Sequence, residues 1–330
     1  MTLKVALVYN QPEADRYGSM GESAAELGVL EEVKAVIQAL AELNCECLPV
    51  PLKPPLSNAR KILKKIKADV VFNLFEGFDS SPETENKIAS ILYEYKFPVT
   101  GCPPAALKLA LDKSKTKKLL KSAAIPTPDY QVLSPLTMSK FHMTFPCIVK
   151  PIADDASHGL SEDSVVNDLQ ALNKQLSKIC ALFGGRALVE EFVDGREFNT
   201  MVLGDGRLFV PAVSEIVYTL PPDKPRLLTF ESKWMEETFY YKHTQGVCPA
   251  DITESEKKRI SRIAKAAFRL TGCKGYARVD FRQNRRGDFL VLEVNPNPDI
   301  TPGAGASLQI AAAGMSYTNF IEKLLHIALN

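Results

Sequence analysis

The chain has 330 residues, 45% hydrophobic and 24% charged, which excludes wholesale disorder and allows two or three modest domains with buried cores. Lys and Arg total 40 against 39 Asp and Glu, a formal net charge of +1, so broad nucleic-acid or anionic-membrane binding has no support. No apolar run approaches the roughly 18 residues of a membrane-spanning helix, and seven scattered cysteines without a second Cys/His pair at zinc spacing read as free thiols in a reducing cytoplasm.

Met1 to Tyr9 holds a short apolar run without a cleavage-site pattern; it reads as a first strand from Leu3 rather than a signal peptide. Leu27 to Leu43 carries Leu30, Val33, Val36, Ile37 and Leu40 at helical spacing. Glu46 to Pro51 predicts a second strand, Ala59 to Lys67 a basic helix, Asp69 to Leu74 a third strand and Pro82 to Tyr95 another helix, before the strand-like Phe97 to Thr100. Such alternation predicts a parallel sheet covered on both faces, with ligands outside the carboxyl ends of its strands. The loops after Tyr9 and Leu74 are therefore candidates, although neither contains a G-x-G-x-x-G.

From Pro103 the pattern changes. Helices near Ala105 to Leu111 and Lys113 to Ala123 stop at Pro126 and Pro128. A strand from Phe145 to Lys150, a polar loop from Asp154 to Gly159, a helix from about Val165 to Leu182 and a strand from Arg186 to Glu191 make a small α+β unit. Short strands follow at Phe198 to Leu203, Leu208 to Val213 and Glu215 to Tyr218, as in an antiparallel sheet. A helix from Glu254 to Leu270, strands Tyr276 to Arg282 and Asp288 to Asn295, and helices near Gly305 to Ala313 and Tyr317 to Leu329 complete the chain. The fold class is α/β and α+β, divided as 1–103, 104–192 and 193–330.

The strongest chemical signal is the last pair of strands. Alternation puts Arg278 and Asp280 on one face, opposite Ala277, Val279 and Phe281. In the next strand Leu290, Leu292 and Val294 share one face, while Glu293 and Asn295 share the other. The polar segment Gln283 to Asp288 suits a hairpin turn, and pairing then gathers Arg278, Asp280, Glu293 and Asn295. Two carboxylates and a carboxamide are hard oxygen ligands suited to Mg²⁺. The competing reading is a solvated sheet face with an incidental salt bridge.

Lys113, Ile148 to Pro151, the Asp154 to Gly159 loop, Val189 to Val193, Gly195 to Phe198, Lys233, Arg278 to Asp280 and Glu293 to Asn295 occur in this order. Taken singly each motif is ordinary: a strand-end lysine, a surface Glu pair, a plain turn. Together they resemble the ATP-grasp enzymes of the D-alanine–D-alanine ligase branch, over nearly the whole chain, including Gly272 to Gly275 and the tail Ala312 to Tyr317. The resemblance implies an ATP-grasp architecture: a parallel-sheet N-terminal substrate domain, a small central lid domain and a C-terminal catalytic domain.

The resemblance also implies roles. Lys113, Lys150 and Lys233 match lysines on the ATP phosphates, and the Asp154 to Gly159 loop matches the segment that closes over them. Glu190, Glu191 and Val193 match the hinge that holds adenine, partly through backbone groups, and Glu197 the ribose acceptor. Asp280, Glu293 and Asn295 match ligands of Mg²⁺, two ions or Mn²⁺ in their place, and Arg278 the charge stabiliser at the reacting carboxylate. Ser307 matches a serine near the second substrate.

Departures fall on the substrate side. The family's glutamate after the first strand has Glu13 or Asp15 as alternatives, and its histidine after the third strand is Glu76. A phosphate-loop serine becomes Ala156, followed by Ser157, and a Lys-Tyr pair becomes Lys233-Trp234. The Pro-Gly turn after the metal asparagine becomes Pro298-Asp299. The expectation is a cytoplasmic ATP- and Mg²⁺-dependent ligase of small-molecule acids and amines, with room for a homodimer and with substrates other than D-alanine. An authentic D-alanine–D-alanine ligase, a small-acid kinase and a non-catalytic nucleotide-binding module are the alternatives.

Overall fold

The computed structural model describes residues 2–12, 20–78, 81–153 and 159–330, the side chains of 20–27 and 234 excepted. Strands β1 (Lys4–Asn10), β2 (Glu46–Leu52) and β3 (Val70–Leu74) alternate with helices α1 (Met20–Glu42), α2 (Leu56–Leu63) and α3 (Glu83–Glu94). The strands run parallel in the order β2-β1-β3, with a single parallel bridge from Val99 to Val71. Both faces are covered, as expected. Val5, Leu7 and Tyr9 face a core containing Val29, Val33, Val36 and Leu40 of α1. Ala6 and Val8 face Ala59 and Leu63 of α2 and Ile88 and Leu92 of α3.

Helices α4 (Pro104–Ala110) and α5 (Lys113–Ser122) follow. The second sheet, antiparallel in the order β4-β7-β5-β6, comprises β4 (Tyr130–Leu133), β5 (Cys147–Pro151), β6 (Val165–Val166) and β7 (Ala187–Glu191), with α6 (Leu169–Phe183) against it. Helix α6 starts four residues later than its periodicity suggested. The Asp168 carboxylate caps it by accepting from Ala171 N at 2.8 Å, and Val165 and Val166 pair with β5 instead.

The remaining elements are β8 (Glu197–Gly204), β9 (Val213–Tyr218), α7 (Phe230–Trp234), α8 (Phe239–Lys242), β10 (Thr244–Val247), α9 (Glu254–Leu270), β11 (Gly275–Gln283), β12 (Phe289–Pro296), α10 (Gly305–Ala312) and α11 (Tyr317–Leu329). The expected strand from Leu208 to Val213 does not form. Only Phe209 bridges to Leu203, and Pro211, having no N–H, interrupts any longer ladder. Helix α9 has the expected bounds: Thr253 and Glu256 form a reciprocal capping box, and Ile260, Ala264, Ala267 and Phe268 are buried at helical spacing.

The third sheet is antiparallel in the order β10-β9-β8-β11-β12. One face buries Phe198, Val202, Ala277, Val279 and Phe281 with α9, and Ala106, Leu107 and Leu120 of α4 and α5 join that core. The opposite face carries the candidate site. No described helix is long and apolar enough to cross a membrane.

Gly275, at φ +70°, packs on the backbone of Gly101, where an added Cβ would lie 2.8 Å from the Gly101 nitrogen. Alanine there meets both the left-handed penalty and immovable main chain. We expect Gly275→Ala to lower stability by about 2–3 kcal/mol, measured as a shift of the urea midpoint.

Candidate active site

Strands β11 and β12 pair Arg278 with Asn295 and Asp280 with Glu293, so the expected four groups share one face. The alternation in β12 departs from expectation. A bulge at Asp280/Phe281 leaves Leu292 as the extra residue, and the buried set becomes Phe289, Val291 and Val294 while Leu292 turns to the cleft.

Arg278 grips Asp280 at two points, Nε to Oδ1 at 2.7 Å and Nη2 to Oδ2 at 2.9 Å. Asn295 Nδ2 donates to Asp280 Oδ2 at 2.9 Å and to Glu293 Oε1 at 3.2 Å. Burial raises the Asp280 carboxyl above its usual range despite the Arg278 charge. Glu293 moves the other way: burial opposes ionisation, but Lys113, Lys150, Arg278 and Lys233 together bring it down to about 2. Lys113 Nζ is 3.7 Å from Glu293 Oε2. Burial, then Arg278, lowers the affinity of Lys233 for its proton.

One amide reaching both carboxylates shows that three hard-oxygen groups converge within one hydrogen bond of a common point. That arrangement fits a small divalent cation. Among the described residues no three His, Cys, Asp or Glu side chains gather as a metal cage, so such an ion would need the Asn295 oxygen, with its amide turned over, and phosphate or water oxygens.

A cleft lies between the second and third sheets. It brings together nine of the residues singled out from sequence: Lys113, Lys150, Glu190, Glu191, Val193, Glu197, Lys233, Asp280 and Glu293. Sequence reasoning missed its apolar walls, Leu160, Leu227 and Leu228, together with Leu292; the first three lie in irregular segments without periodicity. Such walls suit a flat heteroaromatic ring. Glu190 is 1% exposed, and its carboxylate lies 3.3 Å from Lys150 Nζ and 2.9 Å from Lys117 Nζ. Glu197 Oε2 accepts from Tyr218 and from the buried Arg282, both at 2.5 Å.

The described residues expected on the substrate side do not line this cleft. Glu13, Asp15 and Ser157, with the loop from Asp154 to His158, fall outside the described residues, as does the Trp234 side chain. Ser307 does not line the cleft; its hydroxyl donates back to the segment preceding α10, to Thr301 O at 2.8 Å or Ala304 O at 2.9 Å. Glu76 N donates to Asn10 Oδ1 at 3.3 Å, joining the loops after β3 and β1. Asp299 is exposed, and its Oδ1 accepts from Thr301 N at 2.7 Å.

Close to both Glu76 and Asp299 is a residue that sequence reasoning missed. Glu32 of α1 is 3% exposed and accepts from Ile300 N at 2.9 Å. Burial, reinforced by Glu76 and Asp299, raises its carboxyl well above the usual range. The signal was available: Glu32 lies on the same stripe as Val29, Val33 and Val36, where a charged residue is out of place.

A family model described as D-ala D-ala ligase C-terminus matches residues 119–326, well over half of the chain. The chain belongs to the D-alanine–D-alanine ligase family. It is thus an ATP-grasp ligase of the C–N bond-forming type. It is 27% identical to a D-alanine–D-alanine ligase of Haemophilus influenzae over 94% of this chain and 99% of that one. An uncharacterized protein of Sinorhizobium fredii, y4sG, is 32% identical over 78% of this chain and 74% of that one. The fold matches the crystal structure of VanG D-Ala:D-Ser ligase from Enterococcus faecalis with a TM-score of 0.78 at 20% identity, covering 99% of this chain and 100% of that one. ATP-dependent joining of a carboxylate to an amine follows from membership of the ligase family.

Proposed function

We propose that this ligase phosphorylates a small carboxylic acid with ATP and passes the acyl phosphate to an amine, releasing ADP and phosphate, with substrates other than two molecules of D-alanine. The observation that carries the reading is the gathering of Lys113, Lys150 and Lys233 with Glu293 on the lining of one apolar-walled cleft, Lys113 Nζ lying 3.7 Å from Glu293 Oε2. A polyphosphate needs concentrated positive charge, and a nucleobase needs the apolar walls beside it. The division at 103 and 192 is part of this reading, with α4 and α5 leaning on the C-terminal core.

Each residue then has a task. Lys113, Lys150 and Lys233 hold phosphate oxygens. The Val193 N–H, without a hydrogen-bond partner among the described residues, faces the base beside Glu190 and Glu191, and Glu197 takes the ribose. Arg278 stabilises the oxyanion as the amine attacks. Asp280, Glu293 and Asn295 would hold magnesium, two ions with manganese as a substitute, which when bound supplies positive charge against the transferring phosphoryl group. No covalent nucleophile is required; the fixed cations and the closed cleft position the reactants.

The deciding experiment incubates the protein with Mg-ATP and a panel of amino acids, dipeptides and small acids, following phosphate release and amide formation together. Equal yields support the ligase; a phosphorylated acid as the final product makes it a kinase, and no turnover with any pair sinks the reading. A second reading, an authentic D-alanine–D-alanine ligase, is favoured by the near full-length similarity to the Haemophilus enzyme.

Lys150→Met should weaken ATP binding about 10- to 100-fold, the equivalent of one charge-assisted contact. Its side chain is 15% exposed, and Glu190 keeps Lys117 as partner, so the melting temperature should barely change. Calorimetric titration with ATP checks this; unchanged affinity would make Lys150 a strand-end lysine only.

A further inference from the structure

Helix α5 carries a second lysine one turn after Lys113 that has no task in the reading above. Lys117 is 1% exposed, among the largest fully buried side chains of the protein. Its ammonium lies 2.9 Å from Glu190 Oε2 and donates to Thr127 Oγ1 at 2.9 Å. Thr127 in turn donates to Val291 O of β12 at 2.7 Å. Glu190, also 1% exposed, offers its other oxygen, Oε1, to Lys150 Nζ at 3.3 Å. A path therefore runs from β12, through α5, to β7 and β5, and ends at the cleft; its links are hydrogen bonds except that from Lys117 to Glu190 Oε2, which is an ion pair without hydrogen-bond geometry.

Two ammonium groups share one carboxylate along this path. A lone buried charge is costly, so Lys117 needs Glu190, and Glu190 needs at least one of the two ammonium groups. Burial weakens the hold of Lys117 on its proton, while the Glu190 charge pulls it back. Lys117 makes the shorter contact of the two. That leaves Lys150, which does line the cleft, with donors to spare for a phosphate. Without Lys117, Glu190 would be a buried anion with Lys150 as its sole cation, and would draw that ammonium away from the cleft. The tie from Thr127 to Val291 also anchors the path on the strand that carries Glu293 and Asn295.

We propose that Lys117 is a positioning residue for nucleotide binding: by engaging Glu190 from behind, it keeps the Lys150 ammonium available to the phosphates and in place relative to the β11–β12 hairpin. The proposal rests on the ATP reading of Lys150 given above. A purely structural ion pair would hold α5 to β7 with no preference for phosphates.

The test compares wild type, Lys117→Met, Lys150→Met, the double variant and Thr127→Val, each titrated calorimetrically with ATP and with adenosine. Lys117→Met should weaken ATP binding about tenfold, as expected for a lost charge-assisted contact, and leave adenosine affinity unchanged. The double variant should bind ATP no more weakly than Lys150→Met alone, because both act on the same contact. Should Lys117→Met fail to fold, Thr127→Val, which removes a neutral acceptor, should show a smaller loss of the same kind. Equal losses for ATP and adenosine, or losses that multiply in the double variant, would overturn the role of Lys117 while leaving Lys150 in place. If Lys150→Met itself binds ATP normally, the reading of Lys150 fails and this proposal with it.

Discussion

Glu293→Gln is expected to cost roughly 10²–10³-fold in ATP turnover, the scale of losing one preorganised electrostatic contact at a reacting centre. Glu293 is the anion on which Lys113, Lys150, Arg278 and Lys233 converge, and the partner of Asp280 and Asn295 in the oxygen set. Glutamine keeps the shape and one oxygen but removes the charge that a divalent cation requires. The substitution should also lower stability by about 1–3 kcal/mol, because Lys113, Lys150, Arg278 and Lys233 then share one counter-charge fewer, although Asp280 still pairs with Arg278 and Glu190 with Lys150. That part of the effect has a pH signature. The folded carboxyl sits at about 2 against an ordinary 4.5, so its stabilisation is complete above the unfolded value and disappears as pH falls through the folded one. The gap in urea midpoint between wild type and variant should therefore be full at pH 7 and shrink toward pH 2. Turnover close to wild type would remove Glu293 from any metal site.

The hairpin shows how far pattern reading goes. Alternation in β11 correctly paired Arg278 with Asp280, but in β12 it failed at Leu292, because a bulge inserts one residue without any change of residue type to announce it. Helix α9 was legible to its ends because Thr253 and Glu256 spell out a capping box before a long amphipathic run. Helices α7 and α8, of five and four residues, have Thr229 and Thr238 as caps but are too short for periodicity to register. Lys150, Glu190, Glu191, Glu197, Asp280 and Glu293 project from strands whose register is fixed by burial, so a strand pattern can group them. Lys113 and Lys233 sit on helices, and Glu76 and Asp299 in loops that only tertiary packing brings toward Glu32, so no local pattern ties them to a site. Two of the buried charges that pattern does not reveal, Glu32 and Lys117, sit next to residues of like sign, Glu31 and Lys118, and in sequence look no different from a solvated charge run.

D-alanine paired with D-alanine is expected to be a poor substrate combination, outperformed by a pair in which one partner is larger and carries a cationic or hydroxylated group. The loops after β3 and β12 supply Glu76 and Asp299, whose charges add to burial in raising the carboxyl of Glu32. A substrate carboxylate brought beside the same two side chains would meet repulsion of the same sign. At ~4 Å such repulsion amounts to roughly 1 kcal/mol or more, depending on the local dielectric, about fivefold or more in kcat/KM. An ammonium or guanidinium gains by a similar amount. Steady-state phosphate release across basic, hydroxylated and dipeptide substrates, with D-alanine as reference, measures the order. Asp299→Gly restores the bare turn of the family and removes the acceptor for Thr301 N; it should move the preference toward D-alanine, while ATP affinity, set in the separate cleft, stays the same. If D-alanine tops the wild-type panel, the acidic loops do not face the substrate and the second reading, an authentic D-alanine–D-alanine ligase, takes precedence. An unchanged order in Asp299→Gly, with D-alanine still poor, would place the selection on Glu76 and Glu32 rather than on the turn after the hairpin.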